Sequence, residues 1–433
     1  MKQQPIIGME IHVELSTKSK MFCSCSADHF AKKPNTQTCP ICLGLPGAMP
    51  VPNKKAIENV ITIGLALNCK VNQFSKFDRK HYFYPDLPKG YQISQYDQPF
   101  CQNGYLILDS GKKIRITRVH MEEDTAKLIH KKIDGQQVSL VDFNRSGVPL
   151  VEIVTQPDLE TSQETKEFLK KIHHIIKTLN VSNADMEKGS MRLEANISIG
   201  DPNNLPNYKV EIKNVNSFRY ITNAIDYEIN RQTKLIKQGK TPDQETRGWD
   251  RIKGVTFSQR KKESEGDYRY FPEPDIPPIK ISGKQIETLR NQLPQLPSEI
   301  IQTLVNLKIE IRFAKLISKN KKLTSLVHQL SQDKKIIPNK LASLFVNGKL
   351  NPNSSLQLIK DNYLKQTKTG ITNPQLINNL VVQVIKENQS AVSAYKQGNQ
   401  NAIGPLIGKV IALSKGQADP VTVCQILTKK LVN

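Results

Sequence analysis

Apolar and polar residues alternate at period two over short runs in the first two thirds of the chain, the pattern of half-buried strands. The runs are 8–15, 104–108, 113–120, 138–143, 150–155, 191–199 and 208–212. Between them, segments 53–67, 162–178 and 217–236 repeat their apolar residues at helical spacing. Strands and helices do not take regular turns, so an α+β arrangement is expected rather than a doubly wound parallel sheet.

The pattern changes after the proline-rich stretch Phe271-Pro272-Glu273-Pro274-Asp275-Ile276-Pro277-Pro278, followed by Pro294 and Pro297. Beyond it Ile377, Leu380, Val381, Val384 and Ile385 fall on one helix face. Gly416 suits a C-cap, Asp419 an N-cap and Pro420 a first helical position, with Val423, Cys424, Leu427 and Leu431 on the next face. Three domains are expected: α+β over 1–291, all-α over 292–362, and a small all-α tail over 363–433. The Asn-, Lys- and Ser-rich residues 347–369 read as the linker.

Composition narrows the class. At 433 residues with 38% hydrophobic and 24% charged positions, the chain is neither disordered nor fibrous. Apolar runs stop far short of the ~20 residues of a membrane helix, and no apolar leader precedes Glu10. A cytoplasmic protein without a membrane anchor is expected. The net charge of +22 favours a polyanionic partner, and residues 291–433 contribute 19 Lys or Arg against 6 Asp or Glu. A solubilising surface would account for the same excess.

Four of seven cysteines form a CxC and CxxC set, Cys23-Ser24-Cys25 and Cys39-Pro40-Ile41-Cys42. Two short thiol pairs of this kind converge on one tetrahedral zinc. Four thiolates leave no open position, so the zinc is structural. Cys69, Cys101 and Cys424 read as ordinary buried residues.

In Met9-Glu10-Ile11-His12-Val13-Glu14-Leu15 the period of two places Glu10, His12 and Glu14 on one face. That face suits a hard divalent cation; a solvated face has the same pattern. A second acidic knot, His120-Met121-Glu122-Glu123-Asp124, and a third acid, Glu245 in Gln244-Glu245-Thr246-Arg247, follow. The segments 77–86 and 267–272 interleave Arg79, Lys80 and Arg269 with Tyr82 and other aromatics, offering phosphate contacts beside stacking surfaces. No P-loop, GxGxxG or GxSxG motif occurs, so nucleotide chemistry would use metal and basic side chains.

These stretches, with Gln92-Ile93-Ser94-Gln95-Tyr96-Asp97-Gln98-Pro99, Asp142-Phe143-Asn144-Arg145-Ser146-Gly147-Val148-Pro149 and Glu211-Ile212-Lys213-Asn214-Val215-Asn216, resemble the B subunit of aspartyl/glutamyl-tRNA amidotransferase along nearly the whole chain. The tail resembles it through Tyr395-Lys396-Gln397-Gly398 and Gly408-Lys409-Val410-Ile411. The resemblance implies a cradle-shaped catalytic domain, a helical domain and a YqeY-like tail that holds tRNA. It implies ATP-dependent activation of the side-chain carboxyl of misacylated Glu-tRNA(Gln) or Asp-tRNA(Asn), then amidation by ammonia that an amidase A subunit releases from glutamine, with a small C subunit as strap. Glu10, His12, Glu123 and Glu245 carry over as the Mg²⁺ set, Lys80 and Tyr82 as polar groups beside the pocket, and Arg79, Arg247 and Arg269 as cations for ATP. Two departures stand out: Leu193-Glu194 replaces the usual Cys-Asp, and Arg251 follows Asp250 where an acid is common. A non-catalytic aminoacyl-tRNA adaptor and a free-standing zinc RNA-binding protein are the alternatives.

Overall fold

The computed structural model describes residues 3–261, 268–367, 374–414 and 418–432. The chain forms two compact units, Met1–Pro297 and Ser298–Asn433.

The first unit is built on a nine-stranded sheet. Its spatial order is Val255–Lys261, Glu245–Asp250, Val210–Val215, Met191–Gly200, Gln4–Glu14, Pro149–Thr155, Lys113–Glu123, Cys101–Ile107 and Lys70–Val71. The central strand, Gln4–Glu14, is antiparallel to both neighbours, with Glu10 opposite Val154 and Glu194, and His12 opposite Glu152 and Arg192. Val210–Val215 and Glu245–Asp250 are parallel, which requires a crossover, and the Phe218–Lys237 helix supplies it.

Register follows from alternation. Ile7, Met9, Ile11 and Val13 are buried against the core built with helices Lys54–Ala66, Ser162–Leu179 and Phe218–Lys237. Each such side chain contributes about 1.5–3 kcal/mol on burial. A slip of one residue would drive Glu10, His12 and Glu14 into that core instead. The helices begin where capping residues stand: Asn53 accepts from Ala56 N, Thr161 from Glu164 N and Ser217 from Arg219 N.

A small sheet, with Asp78–His81 between Arg269–Pro272 and Tyr91–Ser94, carries Lys80 to the polar face of the large one. The segment read as a strand at 138–143 belongs to an exposed ribbon, Lys127–Ile133 with Gln136–Asp142.

The second unit is helical, with two separate cores. One gathers Phe313, Ile317, Val327, Leu341, Phe345, Ile359 and Tyr363; the other gathers Ile377, Val381, Val384, Leu406, Val410, Val423, Leu427 and Leu431. The linker reading of 347–369 is corrected here. Residues Leu356–Thr367 form a helix whose Ile359 and Tyr363 are buried in the first of these cores. Asp419 caps the last helix by accepting from Thr422 N, whereas Gly416 and Asp267 lie outside the described residues. Among those residues no helix is long and apolar enough to cross a membrane.

Candidate active site

Since Met9, Ile11 and Val13 pack toward the helices, Glu10, His12 and Glu14 look out from the opposite face of the sheet. Neighbouring strands extend this face with His120 and Glu122, Glu152, Glu194 and Asn196, and Glu211 and Lys213. Glu14 is held from the cysteine-bearing loop by His29, whose Nε2 lies 3.0 Å from Glu14 Oε2.

Two groups of ligand atoms gather side by side. In the first, Glu10, Glu194 and Glu211 bring carboxylate oxygens within 4.8 Å of one another. Lys213 Nζ lies 3.1 Å from Glu211 and 3.5 Å from Glu194. Asn196 donates from Nδ2 to Glu10 Oε1 at 2.7 Å, and its Oδ1 is buried without a partner among the described residues. Burial, then the carboxylates of Glu152, Glu194 and Glu211, push Glu10 above the usual carboxylate range. Three gathered carboxylates, with a neighbouring buried amide oxygen that has no partner among the described residues and one ammonium against two of the acids, are hard-oxygen donors with negative charge in excess, which fits Mg²⁺.

The second group is His12, Glu122 and Glu152. Glu152 lies 3.2 Å from His120 Nε2 and 3.6 Å from His12 Nε2. Glu122 accepts from Ser94 Oγ at 2.8 Å and Gln92 Nε2 at 3.1 Å, and Lys80 Nζ stands 3.5 Å away. Burial works against a charge on His12, but Glu152 outweighs it and lifts the imidazole to about 9. Glu152 thus favours the imidazolium form of His12, which competes with ligation of a cation.

The expected Mg²⁺ set does not converge. Glu123 turns away from His12: its Oε1 accepts from Ile93 N at 2.9 Å and meets Lys89 Nζ at 2.6 Å. It lines a cavity of about 180 Å³ with Cys23, Cys42 and Lys89. The cause is a register shift opposite Val154 and Thr155, where Arg118 and then Ile116 are the partners. The extra residue reverses the alternation, so the core-facing positions change from Ile114 and Ile116 to Val119 and Met121. Glu122 thus joins His12, and Glu123 does not.

Glu245 is likewise elsewhere, 2.7 Å from Arg247 Nη1 and 3.4 Å from Arg231 Nη2, beside the buried Glu228 that also pairs with both arginines. Its neighbour Thr246 faces the other way and donates to Glu211 Oε2 at 3.1 Å. Of the expected nucleotide cations, Arg247 is held in that cluster, and Arg79 is bidentate to Glu273 at 2.8 Å with Asp275 at 3.1 Å. Arg269 is exposed on the small sheet, opposite His81. Lys80 Nζ sits 4.9 Å over the Tyr268 ring, and Tyr82 meets Tyr268 edge-on at 5.5 Å.

Sequence reasoning noted His120 and Glu122 in the acidic knot, and Glu211 and Lys213 in a matching stretch, but assigned none of these, nor Glu152, to the site. A signal existed for two of them: Glu152 within Leu150-Val151-Glu152-Ile153-Val154, and Glu211 between Val210 and Ile212, are lone acids in apolar strands.

The cysteines do converge. The sulfurs of Cys23, Cys25, Cys39 and Cys42 all lie within 4.8 Å of one another. A hydrogen bond from Cys23 does most to lower Cys42, to about 4, with the Lys20 ammonium a smaller cause. Four sulfurs from two turns fit one tetrahedral metal.

Comparison with known proteins covers nearly all of the chain. The GatB/GatE catalytic domain model matches residues 5–287 and the GatB domain model matches residues 286–431. The B subunit of the aspartyl/glutamyl-tRNA(Asn/Gln) amidotransferase from Thermosipho melanesiensis is 43% identical over 467 residues, spanning 97% of each chain. The protein of that name from Thermotoga maritima is 41% identical over 483 residues, spanning 100% of this chain and 99% of its own. The one from Caldanaerobacter subterraneus subsp. tengcongensis is 41% identical over 477 residues, spanning 100% of both.

Proposed function

Because the chain belongs to the family of aspartyl/glutamyl-tRNA(Asn/Gln) amidotransferase B subunits, we propose that it activates the side-chain carboxyl of Glu on tRNA(Gln), or Asp on tRNA(Asn), with ATP and presents it to ammonia. It works in the cytoplasm with an amidase subunit that releases ammonia from glutamine and a small third subunit. The chemistry explains the need for such a site: a carboxylate is a poor electrophile, and phosphorylation gives the attacking amine a leaving group to displace.

What supports this reading most is the pair of ligand groups side by side on one sheet face, each with a partly buried lysine against it. Glu10, Glu194 and Glu211, with Asn196 Oδ1, would hold Mg²⁺, which when bound supplies charge neutralisation for phosphate and carboxylate oxygens. Lys80 and Lys213 bring ammonium groups to the same face, where they can meet phosphate oxygens once the carboxylates are otherwise engaged. Cys23, Cys25, Cys39 and Cys42 would hold a structural Zn²⁺.

The test is ATP consumption by the assembled complex with Glu-charged tRNA(Gln). Glu211→Gln is expected to lower it by about 100-fold or more, as loss of transition-state charge stabilisation does, with glutamine hydrolysis by the amidase still measurable. Unaltered ATP cleavage would place activation elsewhere and leave this chain as an aminoacyl-tRNA adaptor.

A further inference from the structure

Lys20 is 0% exposed, although it carries a charge. Its Nζ donates to Gln37 O at 2.8 Å, Phe143 O at 3.3 Å and Cys42 Sγ at 3.6 Å. Among the described residues no carboxylate stands within ion-pair distance of it. Glu123, across Gly147 from it, is already engaged by Lys89 at 2.6 Å. An uncompensated ammonium in such a place is strongly disfavoured by the loss of its hydration. Two carbonyl dipoles soften that cost without supplying charge, and the sulfur is the one contact able to become an anion.

Four thiolates around a divalent cation carry two negative charges in excess, in a site where Cys23 and Cys42 are buried. The ammonium and the thiolates thus each lack what the other has. We infer that Lys20 is the built-in counter-ion of the four-cysteine metal centre, a positioning residue that favours the metal-loaded thiolate form through its N–H···S contact with Cys42. This rests on the zinc reading of the cysteines.

The surroundings hold Lys20 to that task. Gly147, at φ +84°, has no side chain, and a Cβ there would lie 3.5 Å from both the Cys42 Cβ and the Lys20 Cδ. The backbone is stitched at the same point: Met21 N donates to Gly147 O at 2.7 Å and Lys20 N to Cys25 O at 2.9 Å. Groups that orient and polarise metal ligands from behind change metal affinity by about 10–100-fold when removed.

The experiment is a Co²⁺ titration of metal-free full-length protein, read by the thiolate-to-cobalt charge-transfer and tetrahedral d–d bands, with a competing chelator to set the affinity. Wild type is expected to show both bands. Lys20→Met is expected to keep them, with the charge-transfer band moved to longer wavelength and affinity lowered about 10–100-fold. If Lys20→Met folds only when loaded, zinc transfer from the loaded protein to a chromophoric chelator replaces the titration, and is expected to be at least about tenfold faster than from wild type. Affinity within twofold of wild type with an unmoved band, or an unchanged transfer rate, overturns the role of Lys20. Absence of thiolate–cobalt bands in wild type overturns the metal centre itself, and the counter-ion with it.

Discussion

At the scale of single residues, charge partners decide what each carboxylate does. Burial raises the Asp124 carboxyl, but Arg145 and Arg192, with Arg192 Nη2 at 2.7 Å, overcome this and hold it well below the usual range. A depressed folded value means the stabilisation is complete above the unfolded value of about 3.9 and fades as pH falls from there toward the folded one. Asp124→Asn is therefore expected to be about 1–3 kcal/mol less stable than wild type at pH 7. The gap should begin to narrow as urea unfolding is repeated from pH 5 to pH 3, and a gap independent of pH would remove the charged pair as its cause. The same scale sets the limit on what sequence reveals. Alternation alone identified the Glu10-His12-Glu14 face, but the choice between Glu122 and Glu123 depends on a bulge, and a bulge depends on pairing with a strand about thirty residues further on.

At the scale of elements, caps and periodicity were legible because they are local. The periodic segments 53–67, 162–178 and 217–236 become the helices Lys54–Ala66, Ser162–Leu179 and Phe218–Lys237, and Asp419 caps the last helix as its sequence suggests. The helix Leu356–Thr367 was missed because its apolar residues do not mark one buried face: Leu356 and Leu358 are exposed while Ile359 and Tyr363 are buried. Its stability comes from tertiary packing. Tyr363 is 1% exposed, and its hydroxyl accepts from Ile337 N at 2.9 Å. Tyr363→Phe is expected to cost about 1–3 kcal/mol by leaving that N–H unpaired, and Tyr363→Ala about 3–5 kcal/mol through the lost volume. Denaturant unfolding followed by the helical circular dichroism signal measures both; a Tyr363→Phe protein as stable as wild type would mean that the hydroxyl contributes nothing.

At the scale of the molecule, two units with separate cores are expected to unfold separately. The single tryptophan, Trp249, packs against the core of the first unit, so its fluorescence follows that unit, while the circular dichroism signal at 222 nm also follows the helices of the second. The two thermal curves should have different midpoints; superimposable curves would show one cooperative whole. The sheet at the centre of the first unit also imposes an order in time. The strand carrying Glu10 and His12 pairs with Pro149–Thr155 and Met191–Gly200, so on the ribosome it emerges long before either neighbour. At roughly 5–20 residues per second, synthesis of the chain up to the first of them takes about 7–30 s. Throughout that interval Ile7, Met9, Ile11 and Val13 have no sheet to join, which makes the segment that bears the chemistry a natural client for chaperones during translation.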